Sequence, residues 1–209
     1  MTLLDIDTRF NQQYVGLLET QKSIFEQLKT YPFDLSKREM TDAILHRMDS
    51  NWVFNDGNNQ LLGRNQKPSS AEYFTETCLI FIKAYLEGLG HNYQVRSEKT
   101  VNIVRTRNIV KPDISIWKGD SLVGVIELKT LNDRFRNTWE EHLKGREAQV
   151  KMASNTPGLF FAVIAHWNFF DENSPEFNSK YFGLRRRGVH TPTDATIENL
   201  ILGFLATQK

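Results

Sequence analysis

The eight residues Leu122–Lys129 (Leu-Val-Gly-Val-Ile-Glu-Leu-Lys) constrain this chain more than any other stretch. Rich in β-branched and aliphatic side chains, they read as a strand. The strand period of two puts Val123, Val125, Glu127 and Lys129 on one face, with Leu122, Gly124, Ile126 and Leu128 on the other. One face is wholly apolar around a glycine; the other ends in a carboxylate and an ammonium. A strand this hydrophobic belongs inside a sheet covered on both sides. The two charges at its end must therefore reach solvent or be held there for a purpose.

The rest of the pattern supplies the cover. Residues 8–29 place Phe10, Tyr14, Leu17, Leu18, Ile24, Phe25 and Leu28 at helical spacing, ending before Pro32. A second helix is expected after Ser36, with Ser36 and Glu39 as a capping box and Leu35 and Met40 as a hydrophobic staple. Met40, Ile44, Leu45 and Met48 form its core stripe. The turn-rich run over residues 55–70 marks a boundary, dividing an N-terminal helical region (1–68) from a larger unit (69–209). A third helix runs from about 70 to 88, with Ser69 and Glu72 as its capping box. Short β-rich segments follow at Asn92–Val95, Val101–Arg105, Asp113–Trp117 and Leu122–Lys129. A fourth helix, Trp139–Ala153, starts from Thr138 and Glu141 as a capping box. Leu159–Trp167 is apolar nearly throughout, as a strand buried on both faces requires. Tyr181–Arg187 reads as a further strand, and Pro192 after Thr191 opens a last helix through Leu205. The expected fold class is α/β, a mixed sheet with helices packed on its faces.

Composition narrows the function. The chain has 209 residues, 40% hydrophobic and 24% charged, which suits one sizeable core. No apolar run approaches the ~18 residues of a membrane span. The start carries Asp5 and Asp7 and lacks the basic-then-apolar order of a secretory leader, so a cytoplasmic protein is expected. The lone Cys78 rules out an internal disulfide and a zinc ribbon, and no His pair has the spacing of a zinc helix. Neither a G-x-x-x-x-G-K-[ST] phosphate loop nor a G-x-S-x-G elbow is present. Net charge is only +1, but residues 1–90 hold nine basic and twelve acidic side chains, and residues 91–209 hold seventeen and thirteen. A polyanion would meet the second half.

The hairpin around Gly119 carries the chemistry. Directly opposed residues of an antiparallel pair share a face. A two-residue loop at Gly119–Asp120 would set Asp113 opposite Ile126. A three-residue loop, Gly119–Ser121, would set it opposite Glu127, with Cβ atoms ~5 Å apart. Facing carboxylates destabilise a plain sheet, but a divalent cation turns them into ligands, because Mg²⁺ takes oxygen donors and few of them from protein. The second register is expected, or a distortion at Pro112 with the same result.

Pro112-Asp113, thirteen residues, then Glu127-Leu128-Lys129 resembles the PD-(D/E)XK motif of restriction-endonuclease-like nucleases. The likeness extends over residues 70–167, since the family core is a helix, a three-stranded meander, a helix and a strand. It implies that Asp113 and Glu127 bind Mg²⁺, with Mn²⁺ as a substitute. It also implies that Lys129 orients or deprotonates the attacking water and stabilises charge on the phosphate. The implied activity is endonucleolytic hydrolysis of double-stranded DNA. A stand-alone chain of this size most resembles a type II restriction endonuclease, which implies a homodimer and a cognate methyltransferase in the same system. The N-terminal helices would then supply dimer contacts or a DNA clasp. Two other classes stay open: a repair, recombination or mobile-element nuclease of the same fold, and a non-catalytic DNA-binding or assembly module. So does the plain reading of Glu127 and Lys129 as an ion pair at an exposed hairpin end.

The resemblance further implies a carboxylate from the first core helix. Glu76 is the candidate metal ligand, because Glu72 is taken by the capping box; the bland reading is a solvated face shared by Glu72, Glu76, Lys83 and Glu87. Gln149 shares a helix face with His142 and Arg146, and many relatives carry a Gln near the active site at a similar place; a solvent-facing stripe explains it equally well. Gly145 in the same helix, at ~1 kcal/mol relative to Ala, hints at a close backbone approach. Arg134, Arg136 and Arg146, with Lys151, are candidate phosphate contacts. Arg185 and Arg187 are a second set, placed on one face by strand alternation. Solubility is the competing explanation for each cluster.

Overall fold

The computed structural model describes residues 1–65, 70–101, 110–131, 139–154, 159–167, 173–188 and 192–208. Its helices are α1 (Leu3–Thr30), α2 (Glu39–Leu62), α3 (Ala71–Gly88), α4 (Trp139–Ser154) and α5 (Ile197–Ala206). Its strands are β1 (Tyr93–Ser97), β2 (Ile114–Lys118), β3 (Ser121–Leu131), β4 (Leu159–Trp167) and β5 (Tyr181–Arg186). The strands form one mixed sheet in the order β1-β2-β3-β4-β5. The first three make an antiparallel meander, while β3 with β4 and β4 with β5 are parallel. Parallel neighbours need a crossover between them, and α4 provides it between β3 and β4.

Alternation sorts the strands into two cores. Ile116, Ile126, Leu128, Phe161 and Val163 face α2, α3 and α5, where Met40, Met48, Phe74 and Phe204 meet them. Trp117, Leu122, Val125, Phe160 and Ile164 face the other way, under Trp139, Leu143 and Val150 of α4. Each such side chain, fully buried, stabilises by roughly 1.5–3 kcal/mol, so β3 and β4 hold both layers together. Gly124 is the flat spot on the first face. A Cβ there would lie 3.1 Å from the Phe204 ring, so the glycine lets α5 settle onto β3. The outer edge of β1 is closed by side chains of α3: Glu87 accepts the Val95 N–H at 3.1 Å, and Lys83 donates to the Val95 carbonyl at 3.3 Å. That pair stands in for a neighbouring strand and blunts the edge. Among the described residues, no helix is long and apolar enough to cross a membrane.

Several local expectations are corrected. Helix α1 begins at Leu3, because Thr2 and Asp5 form a reciprocal capping box. The capping box expected at Ser36 and Glu39 does not form: the Ser36 hydroxyl donates to Asp34 at 2.6 Å. Helix α2 is capped across the fold instead. Glu198 of α5 accepts from Met40 N at 2.6 Å, Thr41 N at 3.1 Å and Thr41 Oγ1 at 2.5 Å, and Thr41 Oγ1 in turn accepts from Ile197 N at 2.9 Å. The turn-rich boundary is helical for half its length, since α2 continues to Leu62 and ends at Gly63 with φ 60°. Ser70, not Ser69, precedes α3, and its hydroxyl accepts from Trp52 Nε1 at 2.8 Å instead of capping. Pro192 opens no helix; it bridges Arg185, and α5 starts later, capped by Thr196. Ser69, Thr138 and most of the segment Val101–Arg105 lie outside the described residues.

Candidate active site

The β2–β3 hairpin settles its register in an unexpected way. Around the two-residue turn, where Gly119 takes φ 60°, Lys118 pairs with Ser121 and Trp117 with Leu122. One step further the register shifts, and Ile116 pairs with Gly124, Ser115 with Val125 and Ile114 with Ile126. Val123 is the extra residue of a β-bulge. Neither a longer loop nor a distortion at Pro112 is used; the bulge alone carries Asp113 to the level of Glu127. It also reverses the local alternation, so that Leu122 lies with Val125 in the α4-side core and Val123 packs on the opposite side.

Asp113, just before β2, then meets Glu127 and Lys129 of β3 on the side covered by α4. Lys129 Nζ stands 3.9 Å from Asp113 Oδ2 and 3.9 Å from Glu127 Oε2. Side-chain exposure rises from 5% at Glu127 through 30% at Asp113 to 40% at Lys129, a path from core to solvent. Asp113 is pinned from two strands: its Oδ2 accepts the Leu128 N–H at 2.7 Å, and its carbonyl accepts from the Ser97 hydroxyl at 2.9 Å. Glu127 Oε1 accepts from Arg146 Nε of α4 at 2.9 Å. The same guanidinium donates to the Lys111 carbonyl and, at 3.5 Å, to Gln149 Oε1. Burial pushes the Glu127 carboxyl above the ordinary carboxylate range and the charge of Asp113 adds to it, while Arg146 and Lys129 oppose without cancelling.

Among the candidate residues, Asp113, Glu127 and Lys129 are brought together. Gln149 joins them only through Arg146, and its own side chain is exposed. Arg146 is committed to Glu127 and Lys111, so it is not a free phosphate contact. Sequence reasoning put it on the DNA instead of beside Glu127; the signal was an arginine facing inward on the helix that crosses over the Glu127 strand. Glu76 is exposed on α3 and accepts from Gln21 of α1, while α3 covers the face of the sheet opposite Glu127. Successive residues of a strand point to opposite faces, and α3 lies on the one turned away from Glu127, so Glu76 adds no oxygen to the pair. Arg185 binds Asp49 of α2 at 2.8 and 3.0 Å, tying β5 to that helix. Arg187 lies one residue past the end of β5, where the alternation that was to align it with Arg185 has ended; its N–H donates to the Trp167 carbonyl. Lys151 pairs with Glu147 at 2.8 Å. An added Cβ on Gly145 would meet nothing within 4 Å, so that glycine serves no close approach. Arg134 and Arg136 fall outside the described residues.

Two carboxylates can hold a hard cation only with outside help. Among the described residues, no group of three or more His, Cys, Asp or Glu is arranged around a common point. Asp113 Oδ1 and Glu127 Oε2 nevertheless remain outside the short bonds described above, on the same side of the sheet. That fits Mg²⁺, which is commonly bound by one or two carboxylates and completes its shell with water and substrate phosphate. Compared with family models, curated proteins and solved structures, the chain matches none of them.

Proposed function

We propose that this protein is a Mg²⁺-dependent endonuclease that hydrolyses DNA phosphodiester bonds, of restriction-endonuclease-like fold. The observation that carries the reading is the convergence of Asp113 and Glu127 from adjacent strands, with Lys129 Nζ 3.9 Å from each. The order α3, β1–β2–β3, α4, β4 supports it, being the helix, meander, helix and strand that the Pro112-Asp113 and Glu127-Leu128-Lys129 spacing leads one to expect. Bound Mg²⁺, or Mn²⁺ in its place, would supply Lewis acidity to the scissile phosphate and acidity to a water. Asp113 and Glu127 would hold it, the first rigid through Leu128 and Ser97, the second through Arg146. Lys129, the most exposed of the three, is placed to orient the attacking water and to stabilise charge developing on the phosphate. Cutting both strands of a duplex calls for two such centres, hence a homodimer. The type II restriction reading, with a cognate methyltransferase, belongs to this proposal.

A non-catalytic reading draws on one observation, the Arg146–Glu127 pair, which by itself would anchor α4 to the sheet. Incubating plasmid DNA with the purified protein and Mg²⁺ or Mn²⁺ separates the readings. Discrete fragments are expected, reduced at least about a hundredfold in Lys129→Ala and in Asp113→Asn. Preference for flaps or junctions over intact duplex would point to repair or recombination. Absence of cleavage on all these DNAs with both metals would remove the enzyme.

A further inference from the structure

Two populations of cation occupy this protein. Lys83, Arg146, Lys151, Lys180 and Arg185 each stand within 2.9 Å of a carboxylate. Arg96, Lys99 and Lys111 do not. All three are exposed, and none pairs with a carboxylate among the described residues. The sequence around them leaves little to pair with: residues 93–112 carry five basic side chains and one acidic, Glu98. Like charges gathered without counter-ions repel one another, and a bound polyanion relieves that repulsion.

Their place in the fold matters more than their number. Tyr93 and Val95 of β1 are buried on the side of α3, so by alternation Gln94 and Arg96 point to the face that carries Asp113. Helix α4 packs on that face against β3 and β4; at β1 it is open, with Gln94 half-buried and Arg96 exposed. Arg96 lies opposite Ser115, two residues and roughly 7 Å along β2 from Asp113. Lys99 Nζ sits 3.9 Å from the centre of the Trp117 ring, across from Gln94. Lys111 precedes Asp113 by two residues, and its carbonyl is fixed by Arg146. The three cations line the approach to Asp113 and Lys129 from the β1 side. The same face selects which part of a nucleic acid it can meet. Unstacked bases need exposed aromatic platforms, but Trp117 is 5% exposed beneath Lys99. Phosphate oxygens need only exposed cations.

We propose that Arg96, Lys99 and Lys111 form a phosphate track: the backbone of duplex DNA runs along the open face of β1 and enters the Asp113, Glu127 and Lys129 site from that side. Arg146 and Arg185, the contacts expected on α4 and β5, are committed within the protein, and this surface takes their place. What happens at the end of the track rests on the nuclease reading; the track itself is a matter of binding, measured without metal. Anisotropy of a fluorescein-labelled duplex, titrated with the full chain in EDTA over a range of salt, should give an affinity that falls as salt rises. Arg96→Gln, Lys99→Gln and Lys111→Gln together should lower the slope of log K against log salt by about 2.7, nine-tenths of a counter-ion per lost phosphate contact. Arg9→Gln, Arg64→Gln and Lys118→Gln together remove the same charge elsewhere and should leave the slope unchanged. An equal loss in both triple variants makes the effect one of net charge and overturns the track. So does tighter binding of a single strand than of the duplex, or a wild-type protein that binds no duplex. Binding that the first triple variant abolishes, in a protein that cuts no DNA with either metal, leaves the track standing and removes the nuclease.

Discussion

Glu198 and Glu127 are both buried carboxylates, 2% and 4% exposed, yet their surroundings differ in kind. Around Glu198 every close contact is a donor: two backbone N–H groups and a hydroxyl from the start of α2. Around Glu127 one close donor, Arg146, is balanced by a second carboxylate, and burial lifts its pKa. The first arrangement needs nothing further. The second holds negative charge in a dry place beside more negative charge, which favours folding only if something else uses it. Burial of a carboxylate thus does not distinguish a strut from a site; the sign of its neighbours does.

The contrast can be broken by substitution. Glu198→Ala should have the largest effect on stability, since it leaves three buried donors without a partner; a loss of about 3 kcal/mol or more is expected from the urea midpoint. A loss below about 1 kcal/mol would show that the α2–α5 joint does not depend on it. A smaller effect of opposite sign is expected for Glu127→Gln. Because the folded-state pKa of Glu127 is raised, the native protein binds more protons than the unfolded chain between the usual value, near 4.5, and the raised one. Wild-type stability therefore falls as pH rises through that window, and a neutral glutamine escapes the fall. Metal-free Glu127→Gln should gain on wild type from acid to neutral pH in thermal melts, while losing any cleavage activity. Equal pH profiles would make Glu127 a second strut. Smallest of all, Lys144→Ala, which breaks a half-exposed 3.9 Å pair with Glu140, should change stability by less than about 0.5 kcal/mol.

Much of the fold was legible because it rests on periodicity. The run Leu159–Trp167 is β4, residue for residue, because a short, nearly continuous apolar segment suits a strand covered on both faces. The stripe of Met40, Ile44, Leu45 and Met48 is buried as expected. What the pattern misjudged were ends and partners. Ser36 and Glu39 have the letters of a capping box, but the carboxylate of Glu198, 158 positions beyond Met40, does that work. Pro192 has the letters of a helix start, but β5 draws it into a bridge. At the site, the facing of Asp113 and Glu127 was expected, whereas the Val123 bulge that produces it and the arginine that grips Glu127 were not.

Side-chain order along the chain was thus enough to determine, away from the bulge at Val123, which strand residues share a layer, and that Asp113, Glu127 and Lys129 belong to neighbouring extended segments; both follow from local geometry, where spacing dictates direction. Only the tertiary structure decided which charges meet. Arg146 reaches Glu127 and Glu198 reaches α2 because helices pack where two faces of a sheet send them, and Glu76 is carried to the wrong face by the same rule. Contacts between distant segments depend on the path of the whole chain, which no local spacing records.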